Sequence, residues 1–299
     1  MPSAKDLKKK IRTVSNTRKI TRTMEMVATV KAKQTQDRIK ATAPYSEKLA
    51  EILDSIAASG SIAHPFLTVP ERVNRSLVLV ISANRGLCGA YNTHLLNKAE
   101  KWIAGERSAG RETEVHMIGK KGTARFRFRR EAVAESYTHI GDRPSFKDAE
   151  ELADVFMQRF LDGEVQRVVV FSTRYFSAAV QQPVEMGLLP IVSPEGSENS
   201  AASGVEAVSG KTGIAEFVFE PNRERILESL LPLSVKNALY RLLIEAAACE
   251  QIARRIAMKL ATDNAEEMIH LYTRSYNRQR QAGITKQIME IVGGAEALG

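Results

Sequence analysis

Long apolar runs are missing from this sequence: the longest, such as Leu77 to Ile81, have only a handful of residues, whereas a membrane-crossing helix needs about 20. Cysteine is scarce. Cys88 and Cys249 stand far apart without metal-ligand spacing, which argues against a disulfide framework and suits a reducing compartment. Aromatic residues make up 6% of the chain, thin for a compact enzyme and more usual where helices dominate. The N-terminus has no apolar core of a secretory signal. It is basic, but Asp6 and Glu25 interrupt it, and a helical pattern runs on past residue 40, unlike a mitochondrial presequence. The histidines at 64, 94, 116, 139 and 270 show no ligand spacing, so surface or core roles are expected of them.

Charge is unevenly placed. Of 43 basic and 35 acidic side chains, twelve and three respectively fall in residues 1–40. That segment carries the whole positive excess, and its partner should be acidic: nucleic acid, anionic lipid or an acidic protein surface. A nucleic-acid arm would bring stacking aromatics, and residues 1–44 have none. A membrane-surface helix would bring Trp or Phe anchors, also absent. An acidic protein fits at least as well. Asp263, Glu266 and Glu267 read as a solvated face or as partners of the basic helix.

From about Lys5 to Ala58 there is no glycine and one proline, Pro44. Apolar residues at Leu7, Ile11, Val14, Ile20, Met24, Val27, Ile39, Leu49, Ile52, Leu53 and Ile56 predict one helix with one apolar stripe. Gly60 and Pro65 to Pro70 form a linker. Strand-like and helix-like patterns then alternate: strands at 76–82, 114–118, 165–171 and 184–192, and helices at 92–103 and 146–161. This rhythm predicts an open, largely parallel sheet. Residues 193–213 read as a loop before a last strand, Ala215–Glu220. After Pro232 a second long helix runs to about Val292, with a stripe through Val235, Leu239, Leu242, Ala246, Cys249, Ile252, Ile256, Leu260, Met268, Leu271, Tyr272, Tyr276, Ile284, Ile288 and Ile291. Two amphipathic rods can bury their stripes against each other, and neither keeps a strict seven-residue repeat, so an irregular antiparallel coiled coil is expected. The organisation is α/β: a helix over 1–58, a central open domain over 72–220 and a helix over 222–299.

The loop from Ala83 to Asn92 has Gly86 and Gly89 between a strand and a helix. It is a phosphate cradle or a tight turn; it matches neither common phosphate-loop pattern. Two rival functions follow from the residues: a nucleotide-binding α/β enzyme with its site at Arg85–Gly89, and a basic nucleic-acid-binding coiled coil.

The run from Lys5 to Ala28 (KDLKKKIRTVSNTRKITRTMEMVA), Arg85–Gly89 (RGLCG), the stretch from Gln182-Pro183 to Leu189-Pro190, Ala261–Ala265 (ATDNA), Tyr276–Thr285 (YNRQRQAGIT) and Glu290–Ala295 (EIVGGA) together resemble the gamma subunit of F-type ATP synthases, in order and over nearly the whole chain. The resemblance implies a Rossmann-like central domain and a central-stalk rotor that couples proton flow to ATP synthesis and regulates ATPase activity. It implies a hexamer of alpha and beta subunits around the helices, with epsilon and the membrane c-ring as further partners. No catalytic residue, cofactor or metal is implied in the chain itself, and no nucleic acid. Lys19, Arg22 and Met24 would face beta, while Arg280, Gln281 and Thr285 would make polar contacts with the hexamer. The apolar end from Ile284 to Leu298 would sit in the hexamer's bearing. Lys286-Gln287 departs from the family's pattern, where an acid commonly follows the threonine. Cys249 stands where a small Ser is common, and the paired-cysteine insert of plastid forms is missing. The expected location is the cytoplasmic face of a bacterial inner membrane, as a peripheral subunit.

Overall fold

A computed structural model of the chain describes residues 3–58, 64–177, 180–191 and 223–296. It contains helices α1 (Ala4–Ala58), α2 (Tyr91–Ser108), α3 (Lys120–Phe128), α4 (Phe146–Leu161) and α5 (Arg223–Glu296), and strands β1 (Arg75–Ile81), β2 (Glu112–Ile118), β3 (Glu135–Tyr137), β4 (Arg167–Tyr175) and β5 (Gln181–Leu189). The chain forms two compact units: one from its start to Thr29 together with Arg254 onward, the other Val30–Ala253. Both long helices contribute to both units.

In the larger unit the sheet order is β3-β2-β1-β4-β5. All neighbours are parallel except β4 and β5. β1 and β4 read as nearly continuous apolar runs because a parallel sheet is covered on both faces. Alternate residues divide between the faces. Leu77, Leu79, Val168 and Val170 pack with Phe156 of α4 and with Leu231, Leu239 and Leu242 of α5. Val78, Val80, Val169 and Phe171 pack with Leu95 of α2 and Phe126 of α3. Pro183, which cannot donate to a ladder, lies on edge strand β5.

Sequence pattern misplaced some of this. α3 and β3 were not anticipated: α3 is short and carries six basic residues among 120–130, so its apolar signal reduces to Phe126. α5 starts at Arg223, with Pro232 inside it rather than before it. The buried series Leu227, Leu231, Val235 continues the core-facing stripe through the proline, outweighing one lost backbone hydrogen bond. The loop expected over 193–213 and the strand expected over Ala215–Glu220 lie outside the described residues.

α1 starts with a reciprocal cap. The Asp6 amide donates to Ser3 Oγ (3.2 Å), and the Ser3 hydroxyl and amide donate to Asp6 (2.7 and 3.2 Å). The Ser3 contacts hold the Asp6 carboxyl below the usual carboxylate range.

The two long helices depart from expectation in a more telling way. In the smaller unit they run antiparallel: Lys10 lies over the Tyr272 ring, Arg18 pairs with Glu266 and the Thr262 hydroxyl donates to Thr21. Apart from Ser15, the covered positions of α1 in this unit are 4, 7, 11, 14, 18, 21, 25 and 28, an alternation of threes and fours as in a seven-residue repeat. The repeat is kept by position and not by apolar residue type. Arg18, Thr21, Glu25 and Ala28 occupy it, while Ile20, Met24 and Val27, which the stripe assigned to the interface, are exposed. The apolar series jumps by six between Val14 and Ile20, and the seam does not follow the jump. On α5 the covered residues Met258, Thr262 and Ala265 likewise leave Ile256, Leu260, Met268 and Leu271 exposed.

A polar network sits on one face of the sheet. Arg159 of α4 donates twice to Glu114 (2.6 and 2.8 Å). The buried His116 ring bridges Glu114 and the Tyr137 hydroxyl, at 3.0 Å from each. The Arg159 hydrogen bonds, followed by that of His116, lower the Glu114 carboxyl to about 2, and burial raises the Tyr137 phenol to about 12.

Two outcomes follow. Because the Glu114 carboxyl titrates lower in the folded chain, its stabilisation is complete above the ordinary carboxylate range near 4.5 and is lost as pH falls toward 2. Glu114→Gln should therefore cost about 1–3 kcal/mol at neutral pH, with the gap to the parent closing across that window in denaturant titrations. Ala28→Leu should overpack the seam and cost about 1–3 kcal/mol, while Val27→Leu next to it should change stability by less than about 0.5 kcal/mol; a larger cost at Val27 would contradict the repeat.

Candidate subunit-contact surface

The offset seam leaves an outward band on the paired helices. On α1 it contains Ile20, Met24, Met26 and Val27, with Ile20 57% exposed. Lys19 and Arg22 lie beside it, both exposed. Three residues apart, they share a helix face, and neither makes an ion pair among the described residues. Apolar side chains that leave a helix interface and gather with free cations make a contact surface for another chain. Of the acids expected to pair with the basic helix, Glu266 does so through Arg18 at 3.1 Å. Asp263 instead sits 3.8 Å from Lys259 on its own helix.

Arg280, Gln281 and Thr285 are also exposed. They form a second group, not a continuation of the first. Lys10 already lies opposite Tyr272, so Arg280 and beyond fall toward the beginning of α1, whereas Lys19 and Arg22 lie near Thr262 and Glu266. Residues 280–293 are all exposed, among them Ile284, Ile288, Met289, Ile291 and Val292, with Ile291 at 72%. Gln281 and Thr285, four apart, lie on one side of this segment.

The loop at Arg85–Gly89 is a structural turn. Leu87 and Gly89 adopt left-handed backbone conformations (φ 62° and 58°), natural for glycine and strained for leucine. The Ala83 amide donates to Asn92 Oδ1 at 3.0 Å, and the Tyr91 hydroxyl donates to the Ala246 carbonyl of α5 at 3.3 Å. Cys88, Tyr91, Ala83 and Cys249 form one buried cluster. Burial pushes the Tyr91 phenol and the Cys249 thiol upward, so neither is poised to lose a proton. A doubly wound sheet binds its ligands in the crevice at the carboxyl ends of its strands. Here α5 fills that crevice. The remaining cavity, bounded by Ser82, Asn84, Asp142 and Glu250, measures about 20 Å³, room for about one water. Among the described residues, no group of three or more His, Cys, Asp or Glu side chains could hold a metal ion.

Charge singled out the basic stretch from Lys5 to Arg22 and the family resemblance named Lys19, Arg22 and Met24 within or beside it, while apolar periodicity assigned Ile20, Met24 and Val27 to the helix pair. The six-residue gap after Val14 was the signal that they lie elsewhere.

The family model described as ATP synthase matches residues 3–298. The ATP synthase gamma chain of Leptospira biflexa is 44% identical over 299 residues, covering 100% of both chains. That of Gemmatimonas aurantiaca is 43% identical, covering 100% of this chain and 99% of the relative. Among solved structures, a chain of the Euglena gracilis mitochondrial ATP synthase (OSCP/F1/c-ring, rotational state 3) superposes with a TM-score of 0.66 at 20% identity, covering 99% of this chain and 94% of that one. A chain of the rotor of the same organism's enzyme gives 0.63 at 19% identity, with 94% and 98% covered. These two establish the shared fold, and the full-length relatives establish kinship: the chain belongs to the ATP synthase gamma-chain family.

Proposed function

We propose that the chain is the rotating central shaft of an F-type ATP synthase, transmitting torque between the membrane sector and the alpha/beta hexamer while catalysing nothing itself. The observation that carries this reading is the displaced seam: paired helices bury small and polar side chains and present apolar residues and unpaired cations outward. A shaft needs its working surface on the outside. The hexamer of alpha and beta subunits would receive that surface, and epsilon and the c-ring would complete the rotor.

Lys19 and Arg22 supply contacts to acidic segments of beta, with Met24 packing beside them. Charged contacts at a wet interface steer and register their partners without deep burial, so they can be made and released in every turn. Arg280, Gln281 and Thr285 engage the hexamer at a separate level, and the uncovered apolar segment from Ile284 is sheathed there. Torque on such a shaft opens and closes the three catalytic sites on beta in turn. No helix among the described residues is long and apolar enough to cross a membrane. The chain would accordingly sit at the bilayer through its partners, on the cytoplasmic face of a bacterial inner membrane. The rival reading as a nucleotide-binding enzyme loses its site to α5.

Mixing the chain with alpha and beta subunits should yield a complex whose ATP hydrolysis depends on the chain; no complex, and hydrolysis indifferent to the chain, would sink the reading. Lys19→Glu combined with Arg22→Glu should leave assembly intact and lower proton pumping per ATP hydrolysed in reconstituted vesicles by about tenfold, the range of rim-charge effects. Normal pumping in that variant would remove the two cations from the torque path.

A further inference from the structure

The larger unit carries a second basic surface that the rotor reading does not use. Lys120, Lys121, Arg125, Arg127, Arg129 and Arg130 crowd α3 and the turn after it. Arg125 and Arg129 both pair with the single Glu100 carboxylate, at 2.8 and 2.9 Å. Lys120, Lys121, Arg127 and Arg130 have no ion pair among the described residues. Phe128, between Arg127 and Arg129, is 89% exposed, the highest value among the large hydrophobic residues described.

Beside this helix the sheet ends. β3 pairs only with β2. The Gly119 amide donates to the Tyr137 carbonyl at 3.3 Å, so Tyr137 and, by alternation, Glu135 turn their backbone toward β2, and the Ser136 amide points to the open side. A groove of about 450 Å³ follows this edge, lined by Thr123, Arg127, Arg130 and residues 131–136. Lys120, Thr123 and Arg127 share a face of α3 by their spacing. Arg130, in a left-handed conformation (φ 59°), closes the same groove. Of its two acids, Glu131 is bound by Arg107 at 2.7 Å, leaving Glu135 against the three cations.

We propose that the open edge of β3, flanked by Lys120, Arg127 and Arg130, receives an extended acidic segment of a partner polypeptide as an added strand. An open edge supplies backbone donors and acceptors for a sixth strand, the cations select an acidic one, and Phe128 offers an apolar anchor at the groove's end of α3. The proposal stands apart from the torque surface on α1.

The test uses the full chain at low ionic strength, with a fluorescein-labelled ten-residue peptide of alternating Glu and Val followed by anisotropy. The acidic peptide should bind, and Arg127→Glu with Arg130→Glu should weaken it about tenfold. The same variant should gain affinity for a Lys-Val peptide, which also shows that it is folded. Amide hydrogen exchange at 133–137 should slow when the acidic peptide is bound. The idea is overturned if the acidic peptide does not bind, or if its binding is lost in Lys19→Glu/Arg22→Glu instead. Unprotected amides at 133–137 would also overturn it, as would phosphatidylglycerol vesicles being the only probe whose binding depends on Arg127 and Arg130.

Discussion

The burial of α5 on every side from Leu242 to Ile252 is the constraint on which the larger unit depends. A helix covered all round has no outward face on which to place polar groups, so those inside need partners, and all but the buried Gln251 Nε2 are accommodated among the described residues. Glu245 accepts from Arg241 at 2.8 Å and from the Tyr175 amide at 3.4 Å. The Ala246 carbonyl takes the Tyr91 hydroxyl, and the Leu242 carbonyl takes the Ser172 hydroxyl at 3.4 Å. Alanines 246–248 and Cys249 keep the segment slim enough to lie across the sheet's crevice. The stretch thereby fixes the turn at Arg85–Gly89 and closes the ligand-binding position of a doubly wound sheet.

Much of this was legible in the sequence, for identifiable reasons. β1 and β4 announce themselves as buried on both faces, and α4 carries both a clean periodicity and a Ser145–Asp148 capping box. β3 was invisible because three residues, two of them exposed, carry no pattern. α3 was hidden by its own charge. The long helices were legible as helices and misread as surfaces: periodicity reports where apolar residues recur, and it assigns them to the nearest available interface. In α1 the apolar residues Ile20, Met24 and Val27 are exposed, so the same signal that located the helix misplaced this part of its seam.

The candidate contact surface was therefore half readable. Charge pointed to the stretch from Lys5 to Arg22 because an unbalanced excess needs a partner wherever it sits, and the family resemblance narrowed it to Lys19 and Arg22. Ile20 and Val27 gave no such hint, since an exposed apolar residue and a buried one look alike in sequence until the three-and-four count is kept strictly. The Thr21–Thr262 contact shows why the count wins: the Thr262 hydroxyl donates to Thr21, whose own hydroxyl donates to the Arg18 carbonyl of its helix, so polar residues can fill the seam without leaving a donor stranded.

A one-residue offset between seam and surface has a consequence for how such a chain can change over time. Positions 21 and 28 answer to the fold, and positions 20, 24 and 27 answer to whatever surrounds it. Substitutions in the second set should be nearly silent for folding, so on the proposed function drift there is filtered by the neighbouring subunits alone. The shaft's outer profile can follow its surroundings while the helix pair beneath it stays the same.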